Sequence, residues 1–280
     1  AQGAQLRSQT RYLLANSALA LAYLGELPRA IERYEISLEQ CRSLGNRREE
    51  SGLLVNLGHT QMLMGLVDEA TSNIRRGIHL ARKTSSHQVL ADGLITLGAS
   101  HLEKGDFGKC EQSLQEGLRI ADSIPHVYLS VQATLLLATL NLASNNLADG
   151  ARVALMQAED ALERSVAADM RWGVCYGHSL MARAYKGLGR RDEAISESRK
   201  AVDLVNQGDI FGIDEVLYHH VQVLPDDEEH HVERTQAIRR AREVVLHRRD
   251  QISDEERRQL FAGRAINRQI LNAAKLILQD

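Results

Sequence analysis

Apolar stretches alternate with short polar breaks along this chain, and the breaks recur at a fixed interval. A small residue recurs at Ala18, Gly58, Gly98, Ala138 and Ala182, in steps of 40, 40, 40 and 44 residues. Seven residues after each comes a turn residue: Gly25, Gly65, Gly105, Asn145 and Gly189. Five residues further on stands another small residue: Ala30, Ala70, Cys110, Gly150 and Ala194. Three registers keeping the same steps predict a repeated unit of two helices. The first small residue lets a neighbouring helix approach closely. The turn residue ends the first helix in a left-handed cap, which Gly adopts at little cost and Asn better than most. The second small residue opens the second helix. Acidic residues gather there, at Asp68, Glu69, Asp106, Asp149, Asp192 and Glu193, where unpaired N–H groups and the positive dipole end favour them. The four additional residues between Asn145 and Gly189 make about one helical turn and fit in a long helix over 149–168.

These motifs resemble the tetratricopeptide repeat. The resemblance rests on Leu57-Gly58, on Leu97-Gly98, and on the spacing from Gly25 to Ala30, Gly65 to Ala70 and Gly189 to Ala194. Tyr34 and Tyr185 fall where that family favours aromatics. It covers roughly residues 11–207, with units at about 11–50, 51–90, 91–130, 131–174 and 175–207. It implies an all-α fold: a right-handed α-α superhelix of five to six helix pairs, with units longer than the common 34-residue repeat. Residues 208–280 read as a degenerate sixth unit plus capping helices, with helices over 213–224, 229–249 and 254–278, the last broken near Gly263. Ser253 to Glu256 is a helix start signal.

The segment around Asp214–Leu224, with 252–261 and 267–271, is similar to the end of the helical region in large bacterial signal-transduction ATPase regulators. The maltose-regulator-type activators use a related domain as a sensor. That resemblance implies a piece of a multidomain bacterial signalling or transcription regulator, with a cyclase, kinase or DNA-binding output elsewhere. The opening Ala-Gln-Gly agrees with a fragment.

Composition narrows the function. The chain has 280 residues, 44% of them hydrophobic, and a formal charge of -3, so nothing global favours direct nucleic-acid or membrane binding. Cys41, Cys110 and Cys175 cannot all pair, form no CxxC, and read as reduced core residues of a cytoplasmic protein. No P-loop, HExxH or G-x-S-x-G occurs, so no enzyme is expected and no cofactor is implied. His219, His220, His230 and His231 flank an acidic run and suggest a metal site, but they lack i, i+4 partners. They read instead as a solvated connection whose adjacent histidines face different ways. Arginines crowd 234–249, yet 226–268 holds ten Arg against ten Asp plus Glu, which predicts a salt-bridged exposed helix.

The first helices are expected to line a concave groove for a protein or peptide partner, or for neighbouring domains of the parent. The first unit would offer Asn16, Leu19 and Tyr23, and the second Asn56, His59 and Leu63. Asp92 and Thr96 follow, then Gln132 and Leu136, then Tyr176 and Arg183. Asp92 and Thr96 stand where a chaperone-tail clamp would need cations, which argues against a chaperone adaptor. The alternative is a passive scaffold or oligomerisation module, with a second copy of the chain as partner.

Overall fold

The computed structural model describes residues 2–143, 147–208 and 210–278, and every regular element among them is a helix. Six antiparallel pairs follow one another: α1 (Gln2–Tyr23) with α2 (Leu27–Ser43), α3 (Arg47–Met64) with α4 (Val67–Lys83), and α5 (His87–Glu103) with α6 (Phe107–Ser123). Next come α7 (Val127–Ala143) with α8 (Leu147–Ala167), α9 (Arg171–Gly187) with α10 (Arg191–Asn206), and α11 (Ile213–Val223) with α12 (His231–Asp250). Two further helices, α13 (Glu255–Gly263) and α14 (Ala265–Ile277), complete the chain, with the break at Gly263 and Arg264. Asn145 lies outside the described residues. No described helix is long and apolar enough to cross a membrane.

Each odd-numbered helix up to α9 packs on its own partner and also on the next odd-numbered helix. The even helices α2 to α10 pack on the two helices that flank them in sequence. Elements on the shorter radius of a curved stack come closer together, so the odd helices form the inner wall and the even helices the outer.

The close approach depends on the small residues. A Cβ on Gly58 would fall 2.5 Å from Ile74 Cγ1 and 2.9 Å from the Ala70 carbonyl oxygen. Ala18, Ala138 and Ala182 are wholly buried at the equivalent place. The turn glycine Gly65 takes φ +90 and caps α3 with hydrogen bonds to the Gln61 and Met62 carbonyls. The acidic residues of the second helices do not act as side-chain caps: Leu66, Asp106 and Arg190 occupy the N-cap positions of α4, α6 and α10 without a side-chain cap bond. Asp68 instead pairs with Lys104 at 2.7 Å, tying the second unit to the third, and Glu193 pairs with Arg190.

The stack curves until its ends meet. One hydrophobic cluster unites Ala18, Leu57 and Met64 of the first two units with Val216, Val245, Phe261 and Ile270 of the last helices. Arg248 at the end of α12 reaches the α1–α2 turn, where a Cβ on Gly25 would fall 2.9 Å from its Nε. A Cβ on Gly65 would fall 2.5 Å from the Leu260 carbonyl oxygen of α13.

Two expectations need correction. His219 and His220 are buried because they lie on α11, a packed inner-wall helix, and His230 is buried at the start of α12, whereas the acidic run 226–229 and His231 are exposed as a solvated connection would be. Adjacent histidines do face different ways: His219 meets Ser179 on α9 at 2.9 Å, and His220 meets Ser198 on α10 at 2.9 Å and Glu233 on α12 at 3.1 Å. His230 is held by Asp227 at 2.6 Å. The arginine-rich helix α12 is likewise only partly exposed. It buries Ala237, Ile238, Ala241 and Val245, and Arg234 and Arg248 are largely covered while paired with Asp226 and Asp214.

Gly58→Ala is expected to lower stability by about 1–3 kcal/mol through overpacking. Gly105→Ala meets no atom within 4 Å and suffers only its φ of +74, so it should lose about 1 kcal/mol. Chemical denaturation of the two variants checks the order.

Candidate functional site

The inner wall presents three connected groups of side chains. The first joins the end of α1 to the starts of α5 and α7. Asp92 on α5 is half-buried, and the Thr96 hydroxyl one turn on reaches its carboxylate. Burial pushes the Asp92 carboxyl up to about 6, and the Thr96 hydrogen bond offsets part of that rise. Around it stand three tyrosines. Tyr34 comes from α2 and is 1% exposed, with a buried hydroxyl that meets no partner among the described residues. Tyr23 and Tyr128 face one another within hydrogen-bonding reach and are both exposed. Burial raises the Tyr34 and Tyr128 hydroxyls well above the phenol range, and the neighbouring Tyr23 and Asp92 add to the rise. Aromatics continue round the wall: Phe211 meets Tyr23 edge-on at 5.7 Å, and Trp172 lies 5.0 Å from Tyr128.

The second group spans α9 and α11. The Tyr176 hydroxyl donates to the Gly212 carbonyl or to Glu215, both at 3.4 Å. Arg183 Nη1 lies 3.3 Å from His219 Nε2. A guanidinium cannot accept, so Nε2 is the acceptor and the proton sits on Nδ1, donated to Ser179. Burial, with Arg183 alongside, holds His219 well below the imidazole range, so the ring is neutral. Burial raises Glu215, Asp214 adds to the rise, and Arg183 and Arg264 oppose it.

The third group is a clasp from the C-terminal helices. Arg264, between α13 and α14, donates to the Leu63 carbonyl at 3.3 Å and lies 3.9 Å from Glu103 at the end of α5. Glu103 also accepts from the Ala265 N–H at 3.0 Å, satisfying an open donor at the start of α14. The charge of Arg264 acts on His59 of α3 and on Glu215 of α11, so it stands between opposite sides of the wall. Burial, then Arg264, lowers His59 to about 4.

The sequence-derived lining residues thus divide. Tyr23, Asp92 and Thr96 meet in the first group, Tyr176 and Arg183 in the second, and His59 and Leu63 beside the clasp. Asn16 and Leu19 are exposed on α1, while Asn56, Gln132 and Leu136 are half-buried and join none of the three groups. The Gln132 side-chain amide oxygen Oε1 is buried without a partner among the described residues. Sequence reasoning missed Glu103, Tyr128, Phe211, Glu215 and Arg264. Glu103 was within reach, since it falls 40 residues after Leu63 and 80 after Tyr23 in the same register. Among the described residues no three His, Cys, Asp or Glu side chains converge as a metal site. Cys41, Cys110 and Cys175 are buried, and burial pushes Cys110 up to about 11 and Cys175 up to about 12. A separate cleft of about 860 Å³ opens at the last unit, with Lys186, Arg191 and Arg234 at its rim and Val221, Leu224 and Leu276 among its apolar lining.

The folded state holds the Asp92 proton more tightly than the unfolded chain, so its ionisation costs stability as pH rises from about 4 to about 6. Asp92→Asn should therefore stabilise the free protein by about 2 kcal/mol at pH 7.5, and the gain should vanish near pH 3.5. Melting curves at the two pH values test this. Arg264→Ala and Glu103→Ala should be coupled by about 1–2 kcal/mol in a double-mutant cycle. Either change should speed amide exchange in α13 and α14 and leave α7 unchanged.

The tetratricopeptide-repeat family matches residues 178–204, within α9 and α10. Solved structures extend the likeness to almost the whole chain. A Rap protein complexed with competence and sporulation factor superposes with a TM-score of 0.69 at 11% identity, covering 96% of this chain and 76% of that one. The Rap conjugation gene regulator of plasmid pLS20, in complex with the Phr* peptide, gives 0.69 at 11% identity, covering 99% and 77%. The apo form of RapI gives 0.65 at 12% identity, covering 97% and 100%. No curated protein sequence matches the chain significantly. At these identities the likeness concerns the fold, and the chain is similar to Rap proteins as an all-α, tetratricopeptide-like solenoid.

Proposed function

We propose that this chain is a non-catalytic regulatory module that binds an extended peptide segment on the inner face of its solenoid. The observation that carries the reading is the inner wall itself. It holds the partly accessible carboxylate of Asp92, exposed aromatic rings, and half-buried polar side chains such as Asn56 and Gln132, the latter with a side-chain oxygen unpartnered among the described residues. Closely packed odd helices hold these groups on a rigid frame. An extended peptide offers unpaired backbone groups and alternating side chains that such a wall can meet. One similar structure, the pLS20 regulator, was solved in complex with the Phr* peptide, and another, a Rap protein, in complex with competence and sporulation factor, which supports the reading.

On this reading residues 1–207 form the recognition repeats and residues 208–280 the degenerate unit and cap. The parent is a cytoplasmic bacterial signalling or transcription regulator of the ATPase class, whose output domain responds to the guest. A second reading is a scaffold that pairs with another copy through the C-terminal cleft, favoured by Leu276, which is 81% exposed at its edge. Light scattering decides that point: a stable dimer broken by Leu276→Glu supports it.

For the principal reading, the whole chain is mixed with a randomised hexapeptide pool and followed by hydrogen exchange. Protection is expected in α3, α5 and α7, with α4 and α6 unchanged. Protection confined to outer helices or to the C-terminal cleft, or none at all, overturns the inner-face assignment.

A further inference from the structure

Asp92 is a charged group with an incomplete environment. It is an acceptor with up to four lone-pair sites, and the Thr96 hydroxyl is the group that serves it. No Lys, Arg or His among the described residues forms an ion pair with it, although most acidic side chains in covered positions here have such a partner: Glu50 meets Arg42 and Arg47, Asp214 meets Arg248, and Glu197 meets Lys200 and His178. An uncompensated carboxylate in such surroundings carries a desolvation cost that a cation would remove.

The groups around it are of the kind that a cation also favours. Tyr23 and Tyr128 present rings at the open side and are 51% and 39% exposed. Tyr34 is almost fully buried, and its hydroxyl, near enough to Asp92 and Tyr23 to feel their charge, meets no partner among the described residues. An orphaned buried hydroxyl within electrostatic reach of an uncompensated carboxylate leaves two acceptors in one region of the wall that the donors of a guest could serve. Arg248, which lies over the Phe211 ring at 5.6 Å, is committed to Asp214 at 3.0 Å.

We infer that Asp92, together with the buried Tyr34 and the exposed Tyr23 and Tyr128, is a receptor for one cationic group, an ammonium or guanidinium, carried by the guest peptide. The carboxylate supplies the charge, the Tyr34 hydroxyl an acceptor, and the two open rings the aromatic faces on which a guanidinium stacks. The assignment rests on the inner-face reading above and adds the chemistry of the guest to it. It also accounts for a half-buried carboxylate left without a counter-charge among the described residues, since function keeps such residues at a site where stability alone would not.

The test uses the whole chain and two matched hexapeptide pools, randomised except at one central position fixed as arginine or as citrulline, its uncharged counterpart. Binding is read by fluorescence anisotropy. The arginine pool is expected to bind about tenfold or more tightly than the citrulline pool. Asp92→Asn should abolish that preference while retaining the native circular dichroism. Tyr23→Leu should weaken arginine-pool binding about threefold, and Tyr23→Phe should leave it intact. Equal binding of the two pools, or a preference that survives in Asp92→Asn, overturns the cation assignment and leaves peptide binding standing. Failure of both pools to bind overturns both readings.

Discussion

Everything in this molecule depends on how closely one helix may approach the next. Where Gly58 faces Ile74 and the Ala70 carbonyl there is no room for a methyl group, and Gly98 is pressed against Leu114 in the same way. Those contacts set how the two helices of one unit lie together, and Gly93 of α5, where a Cβ would fall 2.8 Å from Ile78 and 3.2 Å from Val55, brings one unit against the next; such approaches, repeated along the stack, bend it until α12 and α13 reach the first two turns. A side chain inserted at one such contact would open the angle locally. The error would then add along the stack and separate groups that meet only because the ring closes. The aromatic contact of Tyr23 with Phe211, 188 positions apart by their numbering, is such a group.

This division also explains which features could be read from the amino-acid order. Small residues at Ala18, Gly58, Gly98, Ala138 and Ala182, and turn residues such as Gly65, are demanded by local geometry, so their spacing reveals the helix pairs directly. Inner-wall positions follow from the same register, which is how Tyr23, His59 and Asp92 could be named as lining residues and how Glu103 could have been. Contacts across the ring are different. Arg264 with Glu103, Arg248 with the Gly25 turn and Phe211 with Tyr23 depend on accumulated curvature, for which no short-range pattern exists. The histidines of α11 were misread for a related reason: a run of polar residues looks solvated until the curve of the stack places Ser179 and Ser198 against it.

The wall combines two electrostatic regimes. Between α9 and α11 the polar groups answer one another: Arg183, His219 and Ser179 form a chain in which each donor finds an acceptor, and Tyr176 is bonded to the backbone beside Glu215. Such satisfied networks stiffen a structure. Near Asp92 the complement is missing, and rings take the place of counter-charges. Rigidity on one side and unfulfilled polarity on the other is the combination expected of a frame that is finished by its guest rather than by its own chain.

The clasp at Glu103 carries a mechanical consequence. One carboxylate holds both the guanidinium of Arg264 and the first amide of α14, so the last helix is hung from the third repeat rather than merely stacked on the sixth. Any change in the radius of the inner wall therefore displaces the end of the polypeptide, just as tightening a belt moves its buckle. Curvature and the bearing of α14 are a single degree of freedom, and whatever is joined beyond that helix would be turned by it.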